Sequence, residues 1–124
     1  MFKLLLIAIG GALGTLTRYG TSTALLPWSE QFPWGTLTVN LAGCFLMGCL
    51  QGMFAERWLI RPEYQVAILT GFLGGLTTFS TYGWESFAFL QAGQFWRAGM
   101  NILLNNVVGI ALVLLGYGLG AGRL

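Results

Sequence analysis

Amides, hydroxyls and aromatic rings at helical spacing are the side chains with most to offer a solute in this otherwise apolar chain. Asn101 and Asn105 are four apart and share one helix face, with Gly109 continuing it and Asn106 beside it. Two amides in line at membrane depth are costly unless they meet polar partners or water, so they read either as a polar lane or as interhelical glue. Asn40, in Gly35-Thr36-Leu37-Thr38-Val39-Asn40, carries a neutral hydrogen-bond donor and is open to the same two readings. Phe79 and Tyr82 are three apart and also share a face, next to Ser80 and Thr81. Aromatic residues in membrane helices are usually packing, but a ring edge carries the positive part of the quadrupole. An anion can pass such edges without meeting a full charge that would trap it.

Arg18 and Glu85 are the charges that fall deepest. Arg18, near the end of an apolar segment, either snorkels to the interface or forms an anion-attracting vestibule. Glu85 either binds a proton or cation or ties a helix to its neighbours, since a carboxylate repels an anion. There is no histidine, no nucleophile with a base, no CxxC pair, no phosphate loop and no cluster of metal-ligand spacing. An enzyme is therefore not expected. Cys44 and Cys49 are five apart, point to different sides of a helix and read as small buried hydrophobes.

Of the 124 residues, 56% are hydrophobic and 8% charged. A soluble domain carries about 25% charged residues, so an ordinary water-exposed surface is excluded. A net charge of +2, scattered along the chain, does not indicate nucleic acid. Met1-Phe2-Lys3 followed by Leu4 to Leu13 mimics a signal peptide, yet the remaining chain is just as apolar, so this segment is expected to be the first membrane span.

A single domain, 1–124, with four spans is predicted: Phe2 to Leu26, stopped at Pro27; Trp34 to Ala55; from after Arg61-Pro62-Glu63 to Gln91; and Phe95 to Gly120. Around twenty residues at ~1.5 Å each span a ~30 Å hydrocarbon core. Trp28, Trp34, Trp58 and Trp96 fall at the span ends as interfacial anchors. The third span contains Thr70-Gly71-Phe72-Leu73-Gly74-Gly75-Leu76-Thr77-Thr78-Phe79-Ser80-Thr81-Tyr82-Gly83, where glycines and hydroxyls replace the residues of a plain membrane helix. Freed backbone is tolerated in a bilayer only where it is buried in protein or lines a wet cavity. This stretch is therefore expected to be a broken helix at the centre of an ion pathway.

Short connections predict that successive helices are antiparallel neighbours. Gly10/Gly14, Gly48/Gly52, Gly71/Gly75 and Gly116/Gly120 place a small-residue pair in every span, which permits close backbone approach. Lys3, Arg57, Arg61 and Arg123 fall on one side and Arg97, with Arg18 at the far end of span one, on the other. That weak asymmetry favours cytoplasmic termini and permits insertion both ways. Four thin helices leave little room for a pore within one copy, so a homo-oligomer with its pathway between subunits is expected, with a two-fold axis in the membrane plane if copies insert oppositely.

Gly11-Ala12-Leu13-Gly14-Thr15-Leu16-Thr17-Arg18-Tyr19, Gly35-Thr36-Leu37-Thr38-Val39-Asn40 and Gly71-Phe72-Leu73-Gly74-Gly75-Leu76-Thr77-Thr78-Phe79-Ser80-Thr81 together resemble the Fluc/CrcB fluoride channels. The resemblance implies an all-α membrane protein, four helices per subunit with the third broken, assembled as an antiparallel dual-topology homodimer in a bacterial plasma membrane. It implies two fluoride pathways and a central sodium ion held by the backbone carbonyls of Gly74 and Thr77. Asn40 would donate at the pore, Phe79 and Tyr82 would be the paired aromatics with Ser80 and Thr81 as nearby hydroxyls, and Asn101 and Asn105 would lie on a polar track. Arg18 and Glu85 match recurrent charges of unassigned role. Tyr82 stands where phenylalanine is usual, and Gly109 stands where several relatives have serine. The implied activity is passive fluoride export through the bilayer. The rival is a small proton-coupled multidrug exporter using Glu85 as its coupling acid; a purely structural membrane subunit is a third reading.

Overall fold

The computed structural model describes residues 1–124. Helix α1, Phe2–Leu25, runs into a 3-10 turn, Leu26–Trp28. Pro27 therefore does not stop the first helix abruptly: it sits at the start of the turn, where its missing N–H would be unpaired anyway. Helix α2 is Trp34–Glu56. Helix α3 covers residues 62–76 and includes a π-helical stretch, Ala67–Leu73. Helix α4 is Phe79–Gln91, and α5 is Phe95–Ala121 with a second π stretch, Leu104–Val108. Phe2–Trp28, Trp34–Glu56 and Phe95–Ala121 are each long and apolar enough to cross a membrane. The 13 residues of α4 rise only about 20 Å, short of a ~30 Å hydrocarbon core.

Glycine decides which helices touch. A methyl group at Gly14 would overlap the Phe72 carbonyl, and one at Gly75 the Gly11 carbonyl. A methyl at Gly48 would overlap the Val113 carbonyl, and one at Gly116 the Phe45 carbonyl. Gly10 meets the Ala67 carbonyl where Gly14 meets Phe72, and Gly48 meets Val113 where Gly52 meets Tyr117, so residue numbers rise together along each contact: α1 runs parallel to α3 and α2 parallel to α5. The closest backbone approaches thus join the first span with the third and the second with the fourth, while successive helices are also neighbours, as where Gly35 of α2 packs on Ser22 of α1. Without a hydrophobic drive between helices in lipid, such close packing is what holds them together.

Polar contacts fix the remaining directions. Thr36 meets Glu85 and Asn40 meets Thr78, so α2 is antiparallel to α4. Ser86 meets Asn101 and Tyr82 meets Asn106, so α4 is antiparallel to α5. The α4–α5 turn depends on Gly93, whose φ of 71° is left-handed. There Gly93 N–H donates to the Leu90 carbonyl at 3.1 Å and Gln94 N–H to Phe89 at 2.8 Å, closing the helix and reversing the chain. Val39, Leu73 and Leu76 form a small apolar core beside the gap between α3 and α4. Most large apolar side chains, including Leu4, Leu16, Ile110 and Leu114, point outward, as they do in a protein whose solvent is lipid.

Because α2 and α5 meet backbone to backbone, Gly48→Leu is expected to force them apart, destabilising the fold by at least about 1–3 kcal/mol. Gly20→Leu, with nothing within 4 Å of the new Cβ, is the matched control and is expected not to lower stability, since it replaces a glycine inside helix α1 with a better helix former. Thermal unfolding in detergent micelles, followed by circular dichroism, measures both.

Candidate functional site

Helical backbone stops at Leu76 and resumes at Phe79. Between them Thr77 (φ −83°, ψ 156°) and Thr78 (φ −149°, ψ 108°) are extended. A helix end leaves its last carbonyls without partners, and in hydrocarbon something else must compensate. The Thr77 N–H and hydroxyl both donate to the Leu73 carbonyl at 3.0 Å. The Thr78 N–H, which would close on Gly74 in an unbroken helix, donates instead to Asn40 Oδ1 at 2.8 Å. Asn40 Nδ2 donates back to the Thr78 carbonyl at 3.2 Å. One side-chain amide therefore satisfies both polar groups of a single extended residue. The Thr78 hydroxyl caps α4, accepting from the Thr81 N–H at 3.4 Å and pairing with the Thr81 hydroxyl at 2.9 Å. Gly43 on α2 makes room, since a methyl there would overlap the Thr77 side-chain methyl.

From Asn40 the bonds continue in one direction. Asn40 Nδ2 donates to Asn105 Oδ1 at 2.8 Å, and Asn105 Nδ2 to Asn101 Oδ1 at 3.0 Å. Asn101 Nδ2 donates to Ser86 Oγ at 3.0 Å, and Ser86 Oγ to the Tyr82 carbonyl at 2.9 Å. The relay leaves α4 at Thr78 and returns to it at Tyr82, through α2 and α5, without a charged group. Hydrogen bonds aligned this way polarise one another. Asn101, fully buried at 0% exposure, is its centre. Gly109 follows on the same face of α5, against Cys44 and Leu41 of α2.

Beside the relay is a cavity of about 320 Å³ at the gap, lined only by uncharged residues, among them Asn40, Gly74, Thr77, Phe79, Tyr82 and Asn105. The rings of Phe79 and Tyr82 meet edge to face, with centroids 5.2 Å apart and planes at 68°. The Tyr82 hydroxyl accepts from Asn106 Nδ2 at 2.9 Å, which leaves its own proton for another acceptor. Phe79 is 79% exposed, and Ser80 and Thr81 are exposed with it, so one wall of the site is open in a single chain.

The two deep charges go to different places. Arg18 reaches across to donate to the Thr77 carbonyl at 3.4 Å, so its head lies at the gap rather than at a helix end. Glu85 lies away from the relay, accepting from the Thr36 hydroxyl at 2.6 Å. It faces a separate cavity of about 380 Å³ shared with Ser22, Ser29 and Glu30. Its second oxygen is buried without a partner.

The structure thus brings together Asn40, Asn101, Asn105, Phe79, Tyr82, Thr81, Gly74 and Thr77, with Arg18 at the edge, and leaves Glu85 outside. Sequence reasoning did not single out Thr78, Ser86 or Thr36 as site residues. Thr78 carried a usable signal, a hydroxyl three residues before Thr81 at the start of a helix; Ser86 and Thr36 carried none.

A buried, uncharged polar relay against a helix gap, in a chain with several spans, defines a small multi-pass membrane protein with its site at membrane depth. Residues 5–117 match the family described as CrcB-like protein, Camphor Resistance (CrcB). The chain belongs to that family, the one its three motifs resemble. It is 48% identical over 120 residues to the fluoride-specific ion channel FluC of Salinibacter ruber, covering 95% of this chain and 89% of that protein. It is also 46% identical over 112 residues to FluC of Pyrococcus horikoshii, covering 90% of each chain. The FluC of Shewanella amazonensis is 46% identical over 117 residues, covering 94% of each.

Asn101→Ala removes the centre of the relay; Asn105 Nδ2 keeps the Asn101 backbone carbonyl and Ser86 Oγ keeps the Tyr82 carbonyl, but each loses one hydrogen bond, a cost of about 1–2 kcal/mol for the two. It is expected to lower the thermal unfolding midpoint clearly more than Asn106→Ala, whose side chain is exposed. Equal midpoints for the two variants would show that the relay does not support the fold.

Proposed function

We propose that this protein is a fluoride-selective channel that lets fluoride leave the cell down its gradient. The observation that supports this most is the uncharged donor relay beside an open cavity at the gap between α3 and α4. Those two helices then form one interrupted crossing. Fluoride is small and holds its water strongly, so a pathway must replace that water with donors while avoiding a fixed charge that would bind the ion too tightly. Asn40, Asn105 and Asn101 hold the backbone and one another in place. The hydroxyls of Ser80, Thr81 and Tyr82 and the ring edge of Phe79 are the groups left to face the ion. The proton of Tyr82, released by the bond from Asn106, adds a donor where phenylalanine has none. A larger halide fits this donor spacing poorly. That the relatives are named fluoride-specific channels agrees with this reading.

The assembly we propose is an antiparallel homodimer. Phe79, Ser80, Thr81 and Gly74 are exposed in the single chain, and a second copy related by a two-fold axis in the membrane plane would supply the missing wall. At the same place a sodium ion fits the donor set. Gly74 has lost the Thr78 N–H to Asn40, and Thr77 accepts only at 3.4 Å from Arg18, so both carbonyls are available to a cation. A cation there would neutralise the carbonyl dipoles that two copies bring together, and Gly74 and Thr77 would hold it. Glu85, the coupling acid a multidrug exporter would need, lines a different cavity, which favours the channel over that rival.

Liposomes containing the purified protein in sodium buffer are expected to release fluoride, read with a fluoride electrode, and to retain chloride. Asn40→Ala is expected to slow that release by about tenfold or more, the equivalent of ~1.4 kcal/mol on the barrier. Absence of fluoride release from the wild-type protein contradicts the assignment. Replacing sodium with N-methylglucamine throughout purification is expected to shift the protein from dimer towards monomer in light scattering.

A further inference from the structure

Where α1 ends and α2 and α5 begin, a cavity of about 540 Å³ shares no lining residue with the one at the gap. Trp28, Trp34 and Trp96 line it, with Met100 and Leu104 as an apolar floor. Tryptophans gather at the height of lipid headgroups, so this cavity opens at the membrane–water boundary. Its volume lies within the roughly 300–1,000 Å³ of sites that hold small molecules.

Two opposite charges face this cavity and do not meet. Arg97 and Glu30 both line it, yet the ion pair in the chain joins Arg123 to Glu56 at the other end of the helices. Arg97 is held by Gln94 Oε1 at 2.9 Å and Gln31 Oε1 at 3.4 Å, which orients the guanidinium and leaves further N–H groups for an anion. A ligand that completes this arrangement carries a negative group for Arg97, a positive group for Glu30 and a chain for the apolar floor.

The geometry points to a binding site for a zwitterionic phospholipid of the ethanolamine type. Its phosphate sits on Arg97, whose planar fork suits phosphate oxygens. Its ammonium donates to the Glu30 carboxylate and lies against a tryptophan ring. One acyl chain runs over Met100 and Leu104. An anionic glycerol headgroup satisfies Arg97 but brings no cation to Glu30. A choline headgroup brings the cation but no N–H to donate.

Native mass spectrometry of the full-length protein, with phosphatidylethanolamine, phosphatidylglycerol and phosphatidylcholine added in turn, tests the site. The wild-type protein is expected to retain phosphatidylethanolamine best. Arg97→Gln is expected to reduce that retention by about two- to fivefold, the worth of an exposed ion pair. Glu30→Gln is expected to abolish the preference for phosphatidylethanolamine and raise retention of phosphatidylglycerol. Lys3→Gln, remote from the cavity, is expected to leave the order of lipids unchanged. Equal retention of the three lipids by the wild-type protein, a preference for phosphatidylglycerol, or an order untouched by Glu30→Gln each overturns the assignment. If a variant fails to fold by circular dichroism, the wild-type order alone decides.

Discussion

An extended peptide inside a bilayer needs hydrogen-bond partners that lipid cannot supply, and here the side-chain amide of Asn40 supplies them. Each unpaired backbone group in hydrocarbon costs several kcal/mol, so Thr78 could not leave the helical path without help. Asparagine suits the task because one planar group presents an acceptor and two donors. Its oxygen takes the Thr78 N–H, one N–H returns to the Thr78 carbonyl, and the other continues to Asn105. The gap is thereby pinned to α2 and α5 at once. The rest of the site follows from that pinning: α4 starts where Thr78 caps it, and Tyr82 and Ser86 fall one and two turns further on, opposite Asn106 and Asn101.

Bonds of this kind tolerate little error in helix separation, and glycine sets that separation. Between α2 and α5 the backbones touch at Gly48 and Gly116, which holds Asn40 within reach of Asn105. Between α1 and α3 they touch at Gly14 and Gly75, just before the gap. The absence of bulky residues along these contacts therefore does two things. It supplies the packing that lipid cannot, and it fixes the depth and spacing at which short polar side chains meet.

Much of this was legible in the sequence, for identifiable reasons. Long apolar runs bounded by Trp28, Trp34 and Trp96 mark helix ends because bilayer thickness and interfacial aromatics leave a compositional trace. Asn101 and Asn105 could be placed on one face because helical period is a local property. The cluster from Thr70 to Gly83 stood out because glycines and hydroxyls are costly in a membrane helix without a purpose. What could not be read were pairings between distant residues. Glycine pairs announce close contact but not the partner, so the alternate-helix arrangement emerged only in three dimensions. Ser86 meeting Asn101, and Thr36 meeting Glu85, leave no periodic signal. The π stretches Ala67–Leu73 and Leu104–Val108 depend on tertiary packing rather than on any residue that propensity would flag. The bond from Arg18 to the Thr77 carbonyl joins residues 59 apart and likewise leaves no trace in the sequence.

The cavity at the gap combines burial with neutrality. Its lining holds amides, hydroxyls, ring edges and free carbonyls but no ionised group, while Glu85 is kept in another cavity and Arg18 at the edge. Such a surface can exchange a hydrated ion's water for fixed dipoles without holding the ion in a deep well. All of it depends on Thr78 being held open by Asn40. Residue-resolved amide hydrogen exchange of the membrane-embedded protein, wild type against Asn40→Ala, tests this most directly. The Thr78 amide is expected to exchange slowly in the wild type and fast in the variant, while amides in α2 and α5 remain protected in both. Equal, strong protection of the Thr78 amide in both proteins would mean that it has another partner and that Asn40 does not hold the gap open.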